Sequence, residues 1–195
     1  MDFHHGYYFS DMRKLSLVGG LIVITTSSTA ALAQEQPRTS FKDLYLGMSI
    51  EDVRGNRRFV CDKSSSEIAD TVCAARRPGE ETIAGAKTKG IYLFLIDDAV
   101  YSILIKIDPS DFSQIREAME LKYGSPKVEA NRLTTRLGTS YDNFDLEWTL
   151  PDALIDLSKY GGKITEGIVR FRDRSKLREV EARRSTYQKE RASDL

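Results

Sequence analysis

Histidine is almost missing from this chain: its 195 residues hold two, His4 and His5. Cysteine also occurs twice and tryptophan once, and 29 basic residues balance 29 acidic ones to a formal net charge of zero. Each shortage excludes something. Beyond residue 5 the commonest general base and the commonest metal ligand are unavailable. After residue 33 there is no Ser-x-x-Lys, no Gly-x-Ser-x-Gly and no Asp-x-Asp-x-Asp-Gly, so the usual nucleophile and calcium-loop patterns are absent. Zero net charge gives no general pull toward nucleic acid or membrane. The longest apolar run is far shorter than the ~20 residues that span a bilayer.

That run is nonetheless informative. Met12-Arg13-Lys14 is positive, residues 15–24 are an apolar stretch, and Ala31-Leu32-Ala33 is a small-residue cleavage site. Together they predict a signal peptide over residues 1–33, with Met12 as a second candidate start. No cysteine follows the cleavage site to carry a lipid. Removing the leader takes both histidines and two charges of each sign (Arg13, Lys14, Asp2, Asp11), leaving residues 34–195 balanced. Such a length suits one domain with its own core. The expected location is the periplasm or the cell exterior, with no stable membrane span after cleavage. Export favours a disulfide between Cys61 and Cys73, an even pair with eleven residues between.

Along the remaining chain, Ser49 followed by Asp52 predicts a helix start, with Ile50 and Val53 on one face and Gly55-Asn56 as its stop. Residues 91–96 and 100–107 are apolar on both faces and rich in β-branched and aromatic side chains. They predict a central hairpin turning at residues 97–99, covered on both sides. Asp108-Pro109 opens a second helix whose stripe is Phe112, Ile115, Ala118 and Met119, ending at Gly124 before Pro126. The simplest docking place for this helix is the hairpin. Residues 143–150 alternate, with Phe144, Leu146, Trp148 and Leu150 inward. Residues 153–157 and 164–171 read as strands flanking a Tyr160-Gly161-Gly162 turn, and 133–137 as a weaker strand. From Ser175 a last, mostly solvated helix begins. The fold class is α+β: an antiparallel sheet with two or three helices packed on it, in one domain.

Paired carboxylates are present at Asp97/Asp98, Glu80/Glu81 and Asp145/Glu147. The last two share a strand face ~7 Å apart, a spacing open to glycosidase-like chemistry and equally to an ordinary solvated strand. Charge is uneven only near the C-terminus. Residues 170–191 carry nine basic side chains against four acidic ones, and Arg170, Arg172, Arg174, Lys176, Arg178, Arg183 and Arg184 form a candidate contact stripe for a partner.

Residues 41–54, Phe-Lys-Asp-Leu-Tyr-Leu-Gly-Met-Ser-Ile-Glu-Asp-Val-Arg, resemble the opening of small periplasmic modules built like β-lactamase inhibitor protein and the SmpA/OmlA outer-membrane assembly lipoproteins. That opening is a Gly, then Ser or Thr, then a short helix with an acidic or amide residue before Val. The exit Lys122-Tyr123-Gly124-Ser125-Pro126 is similar to the Gly-x-Pro closing such helices. The second helix lacks the Gly-x-Ser opening, and the lipid-bearing cysteine is absent. The overall pattern also resembles exported bacterial proteins that offer no function to carry over. The resemblance implies helix-plus-antiparallel-sheet units, singly or two in tandem, that bind other proteins and catalyse nothing.

The expectation is therefore an exported, non-enzymatic protein binding another macromolecule of the bacterial envelope, either a protein or an anionic component. It has no cofactor, metal or nucleic-acid ligand. The alternative is a cell-wall hydrolase or transferase working through carboxylates.

Overall fold

A computed structural model describes residues 38–193, apart from 65, 67 and 137. The leader assigned to residues 1–33 lies outside the described residues. The fold is α+β and dominated by strands: eight form one antiparallel sheet, joined by three helices and two small hairpins.

The chain enters through the hairpin β1 (Ser40–Phe41) and β2 (Leu44–Tyr45). In α1 (Ile50–Gly55), the Ser49 hydroxyl accepts from the Asp52 N–H at 3.1 Å and donates to the Asp52 carboxylate at 2.8 Å. This reciprocal cap fixes the helix start, and Ile50 and Val53 are its buried residues.

β3 (Phe59–Lys63) and β4 (Thr71–Ala75) pair with Cys61 directly opposite Cys73, the two Sγ atoms 2.01 Å apart. β5 (Thr82–Ile83) and β6 (Ala86–Lys87) make the second small hairpin. β7 (Gly90–Ile96) and β8 (Ala99–Ile107) are the expected central hairpin. Asp97 and Asp98, at φ 51° and 58°, form its two-residue turn, the left-handed pair that matches strand twist.

α2 (Phe112–Tyr123) follows a 3-10 turn, with the Asp108 carboxylate accepting from the Ser110 N–H. Gly124 ends it at φ 82°, a backbone angle natural only to glycine. Phe112, Ile115 and Met119 are buried as the stripe requires. Among the sheet strands the helix comes nearest β11, and its buried residues share one core with Leu93, Ile103 and Ile105 of the hairpin expected to receive it. Phe112 stacks on Phe144 at 6.3 Å, and the Trp148 indole N–H donates to the Gly124 carbonyl at 2.7 Å. That bond satisfies the polar end of a core tryptophan.

β9 (Lys127–Thr134), β10 (Ser140–Thr149), β11 (Ala153–Lys163) and β12 (Glu166–Asp173) complete the sheet, and α3 (Leu177–Ser193) ends the described chain. Two expectations are corrected here. The strand expected over 133–137 spans Lys127–Thr134 and overlaps that range only at Leu133 and Thr134; it is almost wholly exposed, so a polar edge hid most of it. The Gly161-Gly162 pair is not the turn. β11 runs through it, and the chain reverses at residues 164–165. Ser158 pairs with Ile168 and Lys163 with Glu166, so the glycines sit in a bulge. A Cβ on Gly161 would stand 2.5 Å from Ile168 Cγ2, which explains glycine without any turn.

The sheet order is β3-β4-β7-β8-β12-β11-β10-β9. Each half is a helix followed by four strands, and the last strand of each half lies at the sheet centre. Strand alternation divides the side chains between two faces. One face, under α1, α2 and the β1–β2 hairpin, holds the main core, including Leu93, Ile103, Ile155 and Leu157 with no exposure. At about 1.5–3 kcal/mol for each large buried aliphatic, this face is the principal source of stability. Among the described residues the opposite face is covered only in part, by α3.

Candidate binding face

Register places one row of side chains across all eight strands of that second face. It runs Val60, Ala74, Tyr92, Leu104, Arg170, Asp156, Glu147, Lys127. The row is apolar over the first four strands and charged, with signs grouped, over the last four. A parallel row runs Val72, Phe94, Ser102, Arg172, Leu154, and α3 lies against it. Val180 packs on a small cluster of Ala69, Ile96, Tyr101, Val72 and Phe94, with Phe94 and Tyr101 edge to face at 6.5 Å.

The basic stripe expected over residues 170–184 does not act as one surface. Lys176 bridges Asp97 at 3.0 Å and Glu179 at 2.9 Å, while Arg183 bridges Asp70 at 2.7 Å and Glu179 at 2.9 Å. These two side chains hold α3 to the β7–β8 turn and the loop before β4. Arg174 donates to the Leu150 carbonyl at 2.8 Å. Arg172 grips Asp156 with two bonds, 2.9 and 2.7 Å, the fork geometry that gives Arg–carboxylate pairs their strength. Arg170, Arg178 and Arg184 line a cavity of about 360 Å3 beneath α3.

The carboxylates are likewise engaged. Asp145 accepts from Asn131 at 2.8 Å and Asn143 at 3.1 Å, and Glu147 stands 4.0 Å from Arg172. The Asn143 side-chain Oδ1 accepts the Tyr160 N–H at 2.9 Å, occupying a donor that the β11 bulge leaves without a ladder partner. Asp145 and Glu147 do share the open face. Lys127, Arg170 and Arg172 join them around a hollow of about 340 Å3.

Titration follows the pairing. The backbone N–H of Asp97, then Arg183, holds the Asp70 carboxyl below its ordinary range. Lys176 does the same for Glu179. Burial pushes the Tyr101 hydroxyl up and the Arg170 guanidinium down. The carboxyls displaced from their usual range, among them Asp43, Asp108 and Glu166, are displaced downward. A general acid needs the opposite displacement.

A third hollow, about 270 Å3, opens between Phe41, Leu44, Phe59 and Ile91 on the other side of the sheet. Its rim is tied by ion pairs of Arg58 with Asp43 and Glu81, and of Lys42 with Glu81. Among the described residues no cluster of three or more His, Cys, Asp or Glu could hold a metal, and no helix is long and apolar enough to cross a membrane.

Sequence reasoning missed Asp70 and Asp97 as docking acids and Tyr101 and Ser102 as cavity residues. Strands apolar on both faces signalled two covers. Nothing local signalled that the second cover would be a charged helix.

No family model, characterised protein or solved structure matches the chain.

Proposed function

We propose that this protein is an exported, non-enzymatic binding module of the bacterial envelope, engaging another macromolecule through the open face of its sheet. One observation carries the reading: the part of a wide antiparallel face from Asp156 to Lys127 is lined by charged side chains, and no element of the described residues packs over it. A charged face of this kind favours a partner of complementary charge pattern, since charge complementarity steers encounter and fixes register. The two helix-plus-four-strand halves support the likeness to tandem periplasmic modules that bind proteins. The Cys61–Cys73 pair at disulfide distance supports an oxidising compartment. The enzymatic alternative gains no support, because Asp145, Glu147 and Asp156 are engaged by amide and arginine partners.

The test compares capture from envelope extract by the wild type, by Asp145→Lys/Glu147→Lys on the open face, and by Glu117→Lys on exposed α2. Loss of a saturable partner with the first variant alone is expected. Equal capture by all three, or no partner for any, contradicts the proposal.

A further inference from the structure

Arg170 and Arg172 are next-but-one neighbours on one strand face, yet their surroundings differ. The residue opposite Arg170 in register is Asp156, and Arg172 takes both of its carboxylate oxygens. Among the described residues Arg170 is left with no hydrogen bond and no ion pair, only the more distant field of Asp156. It is half-buried. A guanidinium withdrawn from water without a bonded anion is costly.

Two further polar groups share this condition at the same place. The hydroxyls of Tyr101 and Ser102 have no hydrogen-bond partner among the described residues, although the two residues are 5% and 3% exposed. Neither hydroxyl is sealed off in the protein interior, and both residues line the cavity under α3 together with Arg170. Four arginines, Arg170, Arg172, Arg178 and Arg184, line it against one acid, Glu181, which lies 3.8 Å from Arg184. Phe94, Val180 and Leu177 supply apolar wall. At about 360 Å3, the cavity is within the ~300–1,000 Å3 typical of small-molecule sites.

We propose that the cavity between β7, β8, β12 and α3 is a binding site for a small organic anion, a carboxylate or phosphate carried on a compact apolar body. The anionic head meets Arg170, whose planar fork matches either group, with Tyr101 and Ser102 as donors. The apolar body lies against Phe94 and Val180. The site is formed by this chain alone and stands whether or not a macromolecular partner binds the open face.

The test is a titration of the isotopically labelled full chain with phenyl phosphate, benzoate and inorganic phosphate, followed by NMR at the arginine Nε–Hε groups and the Tyr101 and Ser102 amides. Phenyl phosphate or benzoate is expected to saturate shifts at Arg170, Tyr101 and Ser102, and their relative affinity distinguishes a phosphate from a carboxylate head. Inorganic phosphate is expected to bind roughly tenfold or more weakly, since it buries no apolar surface. Arg170→Gln should weaken binding by roughly tenfold or more, the usual loss of a charge-assisted bond. The exposed pair Arg178→Gln/Arg184→Gln, outside the sheet, should weaken it severalfold without affecting folding. No saturable shift with either organic anion, or unchanged affinity in both variants, overturns the site. Inorganic phosphate binding as tightly as phenyl phosphate overturns the apolar half of the assignment.

Discussion

On the side of the sheet under α1 and α2, Leu93, Ile103, Ile155 and Leu157 have no exposure. On the other side the same strands carry Tyr92, Ser102, Asp156 and Arg170, paired in rows and half covered. The first side is sealed by apolar stripes. The second is held by ion pairs to a helix whose apolar contact is little more than Val180 and Leu177. One sheet thus devotes one face to stability and leaves the other adjustable, and substitutions on the two should behave differently.

The largest effect is expected on the sealed face. Ile103→Ala, with no exposure in the main core, should cost about 2–5 kcal/mol in denaturant unfolding. Breaking the link between Cys61 and Cys73 by reduction or Cys73→Ser should cost about 2–3 kcal/mol in the chain-entropy account of a short loop. It should act first on β3, β4 and the loop between them, and through Asp70 in that loop on the docking of α3.

Much of the sealed face was legible from sequence. The Ser49 cap, the Asp97-Asp98 turn and the Phe112–Met119 stripe are local signals, and the structure keeps all three. β9 was not legible, because its alternation, Val128 and Ala130 between Lys127, Glu129 and Asn131, is short and weakly apolar, and the strand is defined by its partner. The glycine bulge was misread for a related reason: Gly161 answers to Ile168 on another strand, which no local window contains. The binding face was the least legible. The basic residues were visible as a run, but only the fold separates those that anchor α3 from those that line a cavity.

The open face should respond to smaller forces. Removing residues 175–195 should expose Phe94 and Tyr101 and raise binding of a hydrophobic dye, while lowering global stability by less than Ile103→Ala does. Acid should act in the same direction. Asp70 is held below its ordinary 3.8 by the Asp97 N–H and then by Arg183 of α3, and Glu179 is held below 4.5 by Lys176 and Arg183, the two cations that also reach Asp97 and Asp70. A carboxyl lowered on folding stabilises above its unfolded value, and that stabilisation is lost as pH falls through the folded one. Protection of α3 against hydrogen exchange, relative to the unstructured rate at each pH, should therefore fall below about pH 4, before that of β7 and β8 does. Salt should reproduce this in part, because these pairs are exposed enough to be screened. Smallest of all, Asp70→Asn should cost at most ~1 kcal/mol and loosen α3 alone, as read by the same exchange experiment.

The central claim, that the open face from Asp156 to Lys127 meets another macromolecule, is tested most directly by photo-crosslinking in the cell envelope. A crosslinking side chain is placed at Lys127, Glu147 or Ser158 on the open face, and at Glu117 or Leu121 on exposed α2 as controls. The account predicts a discrete crosslinked species from the open-face positions and none from α2. Crosslinks from α2 alone, or the same products from both sides, would contradict it.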